Sequence, residues 1–297
     1  QTGIYGNNKR RGKQWGRNLM LGIQFFICWV FVSLTAALYL QAEKTTNSLL
    51  HTLSQKEKSE ILSIPLDYPF MKNEEKLALI ERFKQHAGVK EILLSDIGYM
   101  QGMSGNGLTT QKGNENSWVD ISVMAVPANF FSFMNIPIEQ GRLPQTEKDI
   151  VVDNVWQQIQ KKDVIGMNLY SGNTDYTVCG ISAPFQADVY NRSSGYAFLP
   201  YDPSVYIGHC YIKSHPGQQK EVARWIEKVY REMLPENITY QAKTFLDDIY
   251  VSQALECNLK DIILFFAVIS IIITLLGVYS SITLDTERRQ KEVAIRK

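Results

Sequence analysis

Two long apolar runs constrain this chain more than any other feature. From Leu19 to Leu40 the only ionisable side chains are Cys28 and Tyr39. A helix of that length rises about 33 Å, enough to cross a hydrocarbon layer of about 30 Å. Ile262 to Leu284 passes the same test. Lipid offers peptide groups no hydrogen bonds, so both runs are predicted to be transmembrane helices. The apolar stretches between them, such as Ile92–Leu94 and Ile150–Val152, are strand-length and broken by charge. A cleaved signal peptide is the rival explanation of the first run. That run exceeds the usual apolar region of about 7–15 residues and lacks a small-x-small cleavage site before Gln41.

Charge sets the orientation. Lys9, Arg10, Arg11, Lys13 and Arg17 precede the first run with no acid among them. After Leu284 come Arg288, Arg289, Lys291, Arg296 and Lys297 against Asp285, Glu287 and Glu292. The chain total is +1, so the stretch between the flanks carries a net −6. Basic flanks on both sides place both termini in the cytoplasm and the acidic middle outside. With 45% hydrophobic and 21% charged residues, the chain as a whole has the composition of a folded protein.

Within it, Leu49, Leu50, Leu53, Ile61 and Leu62 keep helical spacing and predict a stalk over Gln41–Leu62. A second helix is expected from Asn73 as N-cap, with Glu74 and Glu75 in its first turn and Leu77, Ile80 and Phe83 on one face, ending by Gly88. Val89–Ser95 reads as a strand. The Gly-rich Gly102–Gly107 reads as a loop, followed by short strands at Val119–Val126, Ile150–Val152, Tyr176–Ile181 and Tyr196–Leu199, with one helix near Asn154–Lys161. Strand Cys210–Lys213, a Pro216-Gly217 turn, helix Gln218–Leu234 and strand Ile238–Lys243 complete the outer part. Val222, Trp225, Ile226, Val229, Tyr230 and Met233 form that helix's apolar stripe. Thr244–Asp261 is expected to be a stalk helix entering the second span.

The fold class expected is therefore an α+β membrane protein, with two transmembrane helices flanking an α/β subdomain that carries an inserted β-rich subdomain. Its segments are a cytoplasmic start (1–18), the first span (19–40), a stalk with the first α/β part (41–100), the insertion (101–195), the second α/β part (196–243), a stalk helix (244–261), the second span (262–284) and a cytoplasmic tail (285–297).

Catalytic patterns are sparse. The sequence has no Walker A loop, no His-Glu-x-x-His and no Cys-x-x-Cys, and His51, His86, His209 and His215 form no ligand pattern. Gly102-Met-Ser104-Gly-Asn106 departs from a nucleophile elbow at its last position. Asp247 and Asp248 diverge on a helix and read as a solvated face. No cofactor, metal or nucleic-acid partner is expected. Cys179 and Cys210 stand as a disulfide pair or as two buried thiols. Sequons at Asn191 and Asn237 matter only in a eukaryotic secretory compartment. In the second span Ser270, Thr274, Gly277 and Ser281 recur along one stripe, which allows close approach of another helix. Gln24, Cys28 and Thr35 lie near one side of the first. Either the two helices pack only on each other or, as two such faces suggest, further spans lie beyond this pair.

Three stretches together resemble the MacB-type and FtsX-like permeases of ABC transport systems, over nearly the whole chain. They are Val126-Pro-Ala-Asn-Phe-Phe-Ser-Phe-Met-Asn-Ile-Pro-Ile-Glu-Gln-Gly141-Arg142, then Ile165-Gly-Met-Asn-Leu with Tyr176-Thr-Val-Cys-Gly-Ile181, and finally Asp285 to Lys297. The resemblance implies a bacterial inner-membrane, multi-pass permease with a periplasmic "porter" part split in sequence. It implies no hydrolysis in this chain but coupling to a separate cytoplasmic ABC ATPase. It also implies further permease helices or a second permease copy, since Lys297 falls where a third span would be approached, and a periplasmic adaptor or hydrolase as partner. Arg288, Arg289, Lys291, Glu292 and Arg296 would form the ATPase-coupling segment, which charge alone explains equally as an anchor at the lipid surface. Gly141 is expected to make a backbone turn, Arg142 to pair with a carboxylate, and Phe130 and Phe131 to fill a core. The alternatives are a two-span sensor with an outer ligand-binding domain and an FtsX-like regulator of cell-wall hydrolases.

Overall fold

The computed structural model describes residues 3–100, 107–187, 194–235, 238 and 240–295. The chain forms two compact units, Gln1–Lys44 with Ala254–Lys297, and Thr45–Gln253. Helix α1 (Gly3–Ser48) is unbroken, and from Leu19 to Ser48 it is long and apolar enough to cross a membrane. The stalk expected to reach Leu62 is replaced by a break. Leu50 adopts φ 49°, α2 (Gln55–Glu60) starts afresh, and Ile61 and Leu62 open strand β1 (Ile61–Pro65). A capping box explains the restart: the Glu57 N–H donates to Ser54 Oγ at 3.2 Å and the Ser54 N–H to Glu57 Oε2 at 2.8 Å. The left-handed turn at Leu50 costs about 1–2 kcal/mol. Complete burial of Leu49 and Leu50, at about 1.5–3 kcal/mol for each side chain, more than offsets it.

The chain then forms α3 (Asn73–Lys84), β2 (Val89–Ser95), β3 (Ser122–Val126), α4 (Phe130–Phe133), β4 (Ile138–Gly141), β5 (Asp149–Asp153), α5 (Asn154–Gln160), β6 (Asn168–Ser171), β7 (Thr174–Ser182), β8 (Tyr196–Pro200), β9 (His209–Ser214), α6 (Gln219–Met233) and β10 (Lys243–Thr244). One sheet is antiparallel, in the order β10-β1-β9-β2. The other is mixed, in the order β3-β8-β5-β7-β4, with β6 paired to β7. Alternation along the strands assigns the faces. Leu62, Ile64, Cys210 and Ile212 pack under α3 and α6 with Phe83, Ile226 and Val229. Val123, Ile150, Val152, Ala197 and Leu199 form the far core of the mixed sheet with Trp156. A central core gathers the remaining faces, including Leu93, Tyr211, Met124, Val151 and Phe198, together with Phe130 and the leucines after α1.

The two-part outer domain is thus an α/β layer carrying a β-rich insertion, but their boundary falls after Pro200 rather than at 195. Tyr196–Pro200 runs parallel to β3 in register Ser122↔Tyr196 and so belongs to the insertion's sheet. The strand expected over Ile238–Lys243 is only Lys243–Thr244. Asn73 is the first helical residue rather than the cap. Its amide donates to the Pro203 and Ser204 carbonyls, and Glu75 accepts from the Lys72 N–H at the helix start. Strands β4 and β6 were not expected from the sequence, and each is only 4 residues long.

The expected stalk over Thr244–Asp261 is two helices, α7 (Phe245–Ser252) and α8 (Ala254–Ile295), parted at Gln253. Helix α8 passes Leu284 without a break, and from Asn258 it too is long and apolar enough to span. Within their unit, α1 and α8 touch along the predicted stripe. A Cβ at Gly277 would lie 2.6 Å from Gln24 Oε1, and the Phe31 and Phe266 rings stack at 6.1 Å. Thr274 is buried and returns its hydroxyl to the Ser270 carbonyl at 2.7 Å. The close approach that the stripe permits is therefore used by α1 itself.

Phe130 is fully buried in the central core, its ring against those of Tyr99, Phe131, Phe185 and Phe198. Its replacement by Ala is expected to destabilise the outer domain by about 3–5 kcal/mol, and by Leu considerably less, in denaturant unfolding followed by intrinsic fluorescence.

Candidate functional site

The chemistry-bearing side chains gather where α1 and α7 join the outer domain. The Lys58 ammonium, 2% exposed, donates to the Leu49 carbonyl at 2.6 Å, at the C-terminal end of α1. A cation suits a helix C-terminus, and burial lowers the lysine's pKa. Thr46 donates its hydroxyl to Gln253 Oε1 at 2.9 Å, tying the end of α1 to the break before α8. Helix α7 opens with its own capping box, in which Thr244 Oγ1 accepts from the Asp247 N–H at 3.2 Å and Asp247 Oδ2 from the Thr244 N–H at 2.8 Å.

Asp248 corrects the expectation of a solvated face. One position further round α7 than the cap, it is half-buried and accepts a short hydrogen bond from Ser63 Oγ on β1. His209 Nε2 lies 2.7 Å from the same oxygen. Ser63 has one proton, and giving it to Asp248 leaves its oxygen to accept from the His209 Nε2–H. Burial holds the imidazole neutral, its pKa brought down to about 3. Burial also raises that of Asp248, against the pull of Ser63 and Lys243. These three residue types occur in hydrolytic triads, but the order here is wrong for one. The serine stands between the histidine and the carboxylate, both its hydrogen-bond directions are used, and it is 1% exposed. The relay is a fastening of α7 to the sheet.

From this fastening a series of rings leads across the central core. His209 lies 4.5 Å from Tyr211, Tyr211 is 4.3 Å from Phe245 and 5.3 Å from Tyr99, and Tyr99 is 5.4 Å from Phe130. Phe130 reaches Phe131 at 5.5 Å and Phe198 at 5.4 Å. Phe131 and Phe198 floor an open cleft of about 310 Å³ at the carboxyl ends of β3 and β8.

Gly141 and Arg142 lie just before the segment Pro144 to Glu147 that lines one side of that cleft. Gly141 has φ 75° and lies so close to the Cys179 carbonyl that any Cβ would collide with it. The Arg142 guanidinium donates to both oxygens of Asp149, at 2.8 and 3.0 Å, and the Gln145 and Thr146 N–H groups add 2.9 and 3.0 Å bonds to Oδ2. These donors hold the Asp149 carboxyl well below the usual carboxylate range. Cys179 and Cys210 are free thiols in different sheets, β7 and β9, and not a disulfide. Cys179 is the bulged residue where the pairing steps from Ile150↔Val178 to Val151↔Gly180.

The tail is helical through Ile295, with Arg289 and Lys291 exposed and Arg288 and Glu292 on the same helix. Arg296 lies outside the described residues, as do Ser104, Asn106 and both sequon asparagines, Asn191 and Asn237. Among the described residues no group of three His, Cys, Asp or Glu is placed to hold a metal. Ser63, Lys58 and Asp149 were not singled out in the sequence, and His209 was named only among histidines that form no ligand pattern. Only Ser54-x-x-Glu57 and Thr244-x-x-Asp247 carried a local signal for this joint.

No protein-family model matches the chain, nor does any curated protein sequence. Among solved structures it is similar to the periplasmic region of MacB from Actinobacillus actinomycetemcomitans, at 11% identity and a TM-score of 0.44, over 69% of this chain and 98% of that one. It is similar to a domain described as that of a permease protein from Porphyromonas gingivalis, at 13% identity and 0.43, over 64% and 96%. The extracellular domain of the noncanonic ABC-type transporter YknZ from Gram-positive bacteria matches at 13% and 0.41, over 62% and 96%.

Two outcomes are expected from the joint and the core. S63A strands the His209 N–H and alters the setting of Asp248, and should destabilise the domain by about 1–3 kcal/mol, with hydrogen exchange rising first in α7. Asp153 is fully buried at the start of α5, and desolvation pushes its carboxyl from 3.8 up to about 6. The folded state then holds its proton more tightly than the unfolded chain. Its contribution is full below about pH 4 and is lost as pH rises through about 6. D153N should flatten that part of the stability profile in thermal unfolding at pH 4, 5, 6 and 7.

Proposed function

We propose that this chain is the permease subunit of an ABC transport system, set in the bacterial inner membrane with its outer domain in the periplasm. It passes mechanical work between a separate cytoplasmic ATPase and that domain. The observation that carries the proposal is the form of the joint. Helix α1 is continuous from Gly3 to Ser48, and the two residues that follow it, Leu49 and Leu50, are fully buried in the central core. On the other side α7 is fastened by Ser63 and Asp248 immediately before α8 begins. A rigid helix ending in a packed core transmits displacement because such cores move as units and resist continuous deformation. The three stretches that resemble MacB-type and FtsX-like permeases support the same assignment. On this reading Arg288, Arg289, Lys291, Glu292 and Arg296 meet the ATPase, a second permease copy or further helices complete the membrane part, and a periplasmic adaptor or hydrolase receives the motion.

The test is co-reconstitution with the cognate ATPase in nanodiscs. Joint reversal of Arg288, Arg289 and Lys291 to Glu should abolish the change in ATP turnover that the wild-type chain produces. Unchanged turnover with the reversed tail overturns the coupling assignment.

A further inference from the structure

The cleft floored by Phe131 and Phe198 has features that the mechanical joint does not use. It opens at the carboxyl ends of β3 and β8, which run parallel. Such ends are where α/β sheets form their binding crevices. Its volume of about 310 Å³ stands at the small end of ligand pockets, roughly 300–1,000 Å³. The floor is apolar: Val126, Phe131 and Phe198 belong to the central core.

One rim is polar and already fixed. Gln145, Thr146 and Glu147 lie on the loop that Arg142 and Asp149 hold through the four bonds described above. A loop so restrained loses little freedom on binding. The Glu147 carboxylate has no hydrogen-bond or ion-pair partner among the described residues. The neighbouring cations are occupied: Arg142 on Asp149, and Lys148 on Asp175 at 3.2 Å. The rim therefore presents one uncompensated negative charge beside an aromatic floor.

We propose that this cleft binds a small organic ammonium, its aromatic or aliphatic body against the apolar lining around Ala128, Pro144 and Pro200 and its single basic nitrogen on Glu147. Charge and shape both select this class. Among the described residues, an anion would meet Glu147 with Arg142 and Lys148 already paired, and a neutral alcohol would donate to Glu147 without the added attraction of a cationic nitrogen.

The test uses the full chain in zwitterionic nanodiscs with three near-isosteric probes: 3-phenylpropylammonium, 3-phenylpropan-1-ol and 3-phenylpropanoate. Ligand-observed NMR titration, with empty nanodiscs subtracted, gives the three affinities. The expected order is ammonium, then alcohol, then carboxylate, with E147Q weakening the ammonium roughly tenfold, the scale of one charged hydrogen bond, and the alcohol by much less, so that the preference between them collapses. A128W, which fills the cleft, should remove all three. Thermal unfolding checks that A128W folds; if it does not, E147Q decides alone, since Glu147 is exposed and bonded to nothing that folding needs. The proposal is overturned if the ammonium binds no tighter than the alcohol, if no probe binds, if E147Q keeps the wild-type preference, or if a folded A128W binds as before. The result is independent of ATPase coupling, because no nucleotide or partner enters the measurement.

Discussion

Packing of Phe130 against Tyr99, Phe131, Phe185 and Phe198 joins two sheets that share no strand pairing. The antiparallel sheet and the mixed sheet each have their own outer core, and the central core joins them, with polar ties such as the Asn129 amide on the Ile92 carbonyl at 3.0 Å. The leucines after α1 and the first apolar residues of α7, Phe245 and Ile249, bury into that same core. Both connections to the membrane-length helices therefore depend on the contact that unites the domain. A ring-filled core suits this task, because aromatic side chains bury large areas with few rotatable bonds and repack in discrete steps.

Much of this was legible in the sequence wherever one periodicity ran undisturbed. Strand β2 keeps the expected limits, Val89–Ser95, and α6 and α5 begin and end within a residue of expectation. The apolar runs were legible for a stronger reason, since lipid leaves the backbone no alternative to a helix. The errors arose where a helical spacing of leucines coincided with a local stop. Leu49, Leu50 and Leu53 have the spacing of a stalk, but they bury into the domain as a compact turn, and Ser54 with Glu57 marks the restart. Tyr196–Pro200 was legible as a strand and not as a member of its sheet, because pairing across seventy residues leaves no trace in either segment alone.

The joint's polar groups were less legible because each acts through a partner distant in sequence. Ser63, His209 and Asp248 come from β1, β9 and α7, and none has an unusual neighbour to announce it. The same holds for the buried Lys58 and Lys76 and the half-buried Lys213. Lys58 donates to the Leu49 carbonyl, Lys76 to Ile207 at 2.7 Å and Lys213 to Phe133 at 2.9 Å. Each offsets part of its desolvation by satisfying a carbonyl that a turn leaves unpaired. A periodicity analysis sees only a charge and assigns it to solvent.

The two helix attachments differ in kind. After α1 the hold is mainly apolar area, the sum of many weak contacts, with Lys58 closing the helix end. At α7 a directional hold is added: the Ser63–Asp248 bond and the His209 contact depend on angle as well as distance. Phe245 touches Tyr211, whose ring is the next in line toward Tyr99 and Phe130. The α7 attachment therefore reaches the same central core that the leucines after α1 enter, so both rest on the packing of one set of rings.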